Sequence, residues 1–127
     1  MIVSGNDDGN NAVRKVSGIT PPEEQRILDF LQGAVYCWCK NRLGDWFSMR
    51  DLMGGVNRDW NGTPLFALYN NHIKDGKSLD EAFERAGKDG GKILKKVIAD
   101  DNKLKFETKK DERIRKYRLI EETDTNP

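Results

Sequence analysis

Residues 92–120 read KILKKVIADDNKLKFETKKDERIRKYRLI, and the change of period inside this stretch decides the fold. In its first part Ile93, Leu94, Val97 and Ile98 repeat at three- and four-residue spacing, which predicts one buried face of a helix. Beyond Asn102 the period drops to two, with Leu104, Phe106 and Thr108 alternating with Lys103, Lys105 and Glu107. Lys109 to Glu112 is expected to turn the chain, and Ile114 to Ile120 to return as a second strand with Tyr117 and Leu119 on one side. A lone hairpin is marginal in water and must lie against helices.

Those helices are signalled further upstream. Thr20-Pro21-Pro22-Glu23 combines an N-cap, prolines in the first turn and a capping-box glutamate. The helix it opens carries Ile27, Leu28, Leu31, Ala34, Val35 and Trp38 as an apolar stripe, broadened by Phe30 and Cys37, and should end near Asn41 to Gly44. Ser48 and Asp51 form a second capping box, flanked by Phe47 and Leu52 as a hydrophobic staple, and Gly54-Gly55 stops that helix early. A third helix is expected from Thr63-Pro64, carrying Leu65, Leu68, Tyr69 and His72, with Gly76 as its stop. Ser78 and Glu81 open a fourth through Ala82, Phe83 and Ala86. Gly87, Gly90 and Gly91 then loosen the pattern, so a separate fifth helix is expected from near Asp89 to about Asp100–Asn102. Residues 1–19 are too polar to repay ordering and read as a flexible arm, residues 20–120 as a single domain, and residues 121–127 as a polar tail.

The expected fold class is therefore mainly α with a C-terminal β-hairpin, an α+β domain. This order resembles a winged helix-turn-helix domain. The resemblance is carried by Phe47-Ser48-Met49-Arg50-Asp51-Leu52, by Gly90 to Ile98, and by the hairpin from Lys103 to Leu119. It implies that the segment around Lys92 to Asp100 is a recognition helix for the major groove. It also implies that Lys109 to Arg113 is a wing tip that meets phosphates or the minor groove.

Charge points the same way. The net charge of +1 hides an excess in residues 85–118, which hold 13 Lys/Arg against 6 Asp/Glu, a balance of +7. Residues 1–84 hold 9 basic and 12 acidic side chains. With the apolar stripe turned inward, Lys88, Lys92, Lys95 and Lys96 stay on the water side, while Lys109, Lys110 and Arg113 cluster at the hairpin turn. These seven are the candidate nucleic-acid contacts. Lysines suit phosphates, and the helix offers no Arg, Asn or Gln for base edges. The expected function is non-catalytic binding of duplex DNA; RNA is the lesser expectation because aromatic platforms for unpaired bases are not evident. The alternative is a protein-interaction module or accessory subunit, for which Trp46 and Trp60 in one exposed patch would be the mark. Ordinary burial of both, and a lysine-rich surface serving solubility alone, are the plainer readings.

Other classes find little support. No apolar run approaches the ~20 residues of a membrane helix, and the Met1-Ile2-Val3 start lacks a signal peptide's basic flank and apolar core, so a cytoplasmic location is expected. Cys37 and Cys39 stand two apart on a helix and point to opposite faces, which predicts buried free thiols without a bridge. One histidine makes a structural zinc site unexpected. Gly87 to Lys92 lacks the spacing of a phosphate loop, and Asp7-Asp8 and Asp100-Asp101 lack the other positions of a calcium loop. Asn61-Gly62-Thr63 reads as a turn and helix cap, and His72 as a structural or surface residue rather than a catalytic one despite Asp75 nearby. No enzyme, metal or cofactor is expected.

Overall fold

The computed structural model describes residues 15–55 and 59–122. The arm up to residue 14, the stretch 56–58 and the tail from 123 lie outside the described residues. The elements are α1 (Pro21–Asn41), α2 (Met49–Leu52), α3 (Phe66–Lys74), α4 (Leu79–Asp100), β1 (Leu104–Asp111) and β2 (Ile114–Glu122). The architecture is α+β and mainly α, as the sequence predicts.

Local chemistry sets the ends of α1 and α2. Thr20 Oγ1 accepts the Glu23 N–H at 3.2 Å, and the Glu23 carboxylate accepts the Thr20 N–H at 2.8 Å. That backbone hydrogen bond, more than any other contact, holds the Glu23 carboxyl below its ordinary range. Ser48 and Asp51 repeat the box at α2. The buried seam of α1 is Ile27, Leu31, Val35 and Cys39, with Leu28 and Trp38 beside it. Cys39 is thus buried, but Cys37 is exposed, because its side of α1 meets solvent. Val16 and Ile19 also pack against the core, and Asn71 Nδ2 donates to the Ser17 carbonyl at 3.1 Å.

The predicted break before the last helix is absent. α4 runs unbroken for 22 residues through Gly87, Gly90 and Gly91. Gly in a helix interior costs roughly 1 kcal/mol relative to Ala, but this helix buries Ala82, Ala86, Ile93, Leu94, Val97 and Ile98 along one side. Gly90 itself is a packing position, since a Cβ there would stand 2.8 Å from Met49 Cε and 3.4 Å from Trp60 Cη2. Asp89, expected at a helix start, lies mid-helix and buried, where His72 Nε2 of α3 donates to its Oδ2 at 2.7 Å. Asp75, the acid nearest His72 in sequence, pairs with Lys77 instead. Between α3 and α4 the Gly76 N–H reaches the Ile73 carbonyl and the Lys77 N–H the His72 carbonyl, with Gly76 at φ 86°, a Schellman close.

β1 and β2 are antiparallel, with Phe106 opposite Leu119, Thr108 opposite Tyr117 and Asp111 opposite Ile114. The turn falls at Glu112-Arg113, both at positive φ (49° and 69°), later than the expected Lys109 to Glu112. Backbone pairing does not depend on apolar side chains, so the ladder continues through Lys109, Lys110 and Asp111 after the buried alternation of Leu104, Phe106 and Thr108 ends. The hairpin is not left alone. Phe47 and Tyr117 exchange both backbone hydrogen bonds at 2.8 Å, an isolated bridge that adds one rung on the other edge of β2. The Phe47 ring lies 5.9 to 6.2 Å, centroid to centroid, from Trp38, Tyr117 and Phe106. This aromatic cluster fixes the hairpin to α1 and to the start of α2.

Candidate functional site

With the base of the hairpin fixed, its inner face and the polar side of α4 enclose a cleft of about 450 Å³. α4 contributes Lys88, Lys92 and Lys95, the hairpin contributes Lys110, Arg113 and Arg115, and the start of α2 adds Arg50. Against these seven cations the lining holds a single carboxylate, Glu84. Like charges gathered around a concavity with low-dielectric walls focus a positive potential into it.

The helix period explains one wall. Lys88, Lys92 and Lys95 stand at i, i+4 and i+7 with Gly87 and Gly91 beside them, so cations frame a strip of α4 that has no side chains. Lys88 reaches Glu84 at 3.6 Å, while Lys92 approaches the buried Asp89 at 3.7 Å and is held from behind. Strand alternation explains the other wall, since Lys110 and Arg115 are register partners on the core-facing side of the ladder. The apolar part of the lining comes from Met49, Leu94, Ile114 and Tyr117. Burial pushes the Tyr117 phenol well above its ordinary value against the opposing pull of Arg115, so it stays neutral.

Five of the seven residues singled out from sequence, Lys88, Lys92, Lys95, Lys110 and Arg113, line this one cleft. The other two lie outside it. Lys96 pairs with Asp100 at 3.0 Å. Lys109 sits on the outer face of the hairpin, its Nζ 4.2 Å from the centroid of the Trp46 ring, which also carries the Arg118 guanidinium at 4.6 Å. Trp46 is half-buried beneath these cations, whereas Trp60 is 4 % exposed and packs near Phe83 at 6.3 Å between centroids. The two tryptophans therefore have separate surroundings.

The seven candidates chosen from sequence leave out two cations of the cleft, Arg50 and Arg115. Arg115 was within reach, because it shares strand parity with Tyr117. Nothing local connects Arg50 with a hairpin that begins more than fifty positions later. Among the described residues no group of three or more His, Cys, Asp or Glu is placed to hold a metal, and no helix is long and apolar enough to cross a membrane. Compared with protein-family models, curated proteins and solved structures, the chain matches none.

Proposed function

We propose that this chain is a non-catalytic duplex DNA-binding domain of winged-helix-like type that grips phosphates with the cleft between α4 and the hairpin. One observation carries the reading: lysines from α4 and basic residues from the hairpin line the same concavity, with one carboxylate among them. Lys ammonium groups serve as non-directional phosphate contacts, and Arg113 and Arg115 add forked donors that match phosphate oxygens. Arg113 holds φ 69°, a conformation a glycine would adopt without strain, so the tip keeps a cation at a conformational cost. The order α1, Phe47 rung, α2, α3, α4 and hairpin is compatible with a winged-helix-like fold. Discrimination between sequences is not expected from lysines alone.

The test is fluorescence anisotropy of a labelled duplex over a salt series. Contact with about five phosphates predicts a log–log salt slope near −4.5. Lys95→Glu with Arg113→Glu should weaken binding by about tenfold or more at low salt, whereas Lys96→Glu with Lys109→Glu should change it by only a few-fold, since those two stand outside the cleft. No binding at about 50 mM salt would remove the reading.

A protein partner is the second reading. It is favoured by Leu79 and Phe83, which stand one turn apart on α4 and are 68 % and 38 % exposed.

A further inference from the structure

Phosphate contacts account for the rim of the cleft but not for its floor. Met49, Leu94, Ile114 and Tyr117 supply the apolar part of its lining there. A ligand made only of phosphates leaves that surface wet. The floor also contains an unexplained space. Gly91 is half-buried, yet a Cβ built on it meets nothing within 4 Å, while the neighbouring Gly90 is wedged against Met49, Trp60 and Leu65. Gly33 is open too, but it lies on the exposed side of α1, where open space is ordinary. Gly91 opens into the concavity itself, so a flat group entering the cleft would reach the bare backbone strip of α4.

The chemistry that matches an apolar floor under a cationic rim is a ring joined to a phosphate. A base paired within a duplex cannot supply it, because its faces are covered by stacking and only its edges are accessible. An unpaired base has a free face and brings its phosphates along at fixed distance. We infer that the cleft takes in one unpaired nucleotide of the bound DNA. Its base lies over Gly91, Leu94 and Ile114, and its flanking phosphates meet Lys88, Lys95 and Arg113. This rests on the DNA reading and adds to it that the preferred substrate has an overhang, a gap or a mismatch, where freeing a base costs least.

The experiment compares three labelled duplexes with the full chain: blunt, with a one-nucleotide overhang, and with the same overhang made abasic. The base-bearing overhang should bind about tenfold tighter than the abasic one, the scale expected from burying one base face. A nucleoside monophosphate should displace the overhang probe at concentrations where inorganic phosphate does not. Gly91→Leu fills the open space with a good helix former and should bring the base-to-abasic ratio close to one, with circular dichroism confirming the fold. Equal affinity for base-bearing and abasic overhangs overturns the inference, as does a preference that survives Gly91→Leu or equal displacement by phosphate. Salt-sensitive binding of all three duplexes without preference removes this inference alone; absence of binding to any of them removes the DNA reading with it.

Discussion

Gly90 and Gly91 are adjacent on α4 and answer opposite demands. On the core side Gly90 is buried, with Met49, Trp60 and Leu65 around the space a Cβ there would take, and it shares that side with Ile93, Val97 and the His72–Asp89 contact. On the cleft side Gly91 faces open space between lysines. One helix thus has a side on which every added atom must displace another, and a side on which an atom is missing. Close packing on the first is what protein interiors require. Openness on the second leaves room in the cleft that the proposed nucleotide would occupy.

The largest effect that tests this contrast is expected from the core side. Ile93 is 4 % exposed, so Ile93→Ala should destabilise the domain by about 2–5 kcal/mol in chemical denaturation. A loss under about 1 kcal/mol would show that this side is not closely packed.

An intermediate effect comes from Tyr117, which stands where core and cleft meet. Its phenol is raised above the ordinary value of 10.0 by burial, so its neutral form is favoured in the folded chain. Below that value both folded and unfolded states hold the proton, and its contribution to stability is complete. Above it the unfolded state loses the proton first, so stability should fall by up to about 1.4 kcal/mol per pH unit as pH rises toward the folded value. Absorbance near 295 nm should report the Tyr117 phenolate together with unfolding. Ionisation of Tyr117 near pH 10 in a chain that remains folded would place this ring on the open side of the contrast.

The smallest effect has the opposite sign. Gly91→Ala should raise stability by up to about 1 kcal/mol, because it removes a helix-interior glycine and meets no neighbour. A loss of stability at this position would mean that the cleft is already filled from within.

Much of this was legible in the sequence, and the failures share a cause. Thr20 with Glu23 and Ser48 with Asp51 are signals complete within four residues, and both boxes form. The alternation from Leu104 to Thr108 likewise fixes which side of β1 is buried. The continuity of α4 was hidden, because the atoms that make Gly90 a packing position belong to Met49, Trp60 and Leu65, distant in the chain. The partner of His72 was hidden for the same reason, lying 17 positions away on another helix. For the cleft, helix period placed Lys88, Lys92 and Lys95 correctly relative to one another. Lys109 was grouped with Lys110 because a turn was assumed there; in a paired strand adjacent residues face opposite ways, so one lines the cleft and the other covers Trp46.

The Phe47–Tyr117 rung has a consequence for how the molecule is made. It joins positions 70 residues apart, so the chain between them must be gathered before its two hydrogen bonds form. Contacts of such long sequence separation mature late and slow the folding of small domains. α4 draws on local contacts, whereas the orientation of the hairpin across from it waits for that closure. The second wall of the cleft depends on that closure, and a ligand touching both walls would stabilise the closed state selectively, raising the midpoint of unfolding with the logarithm of its concentration above Kd.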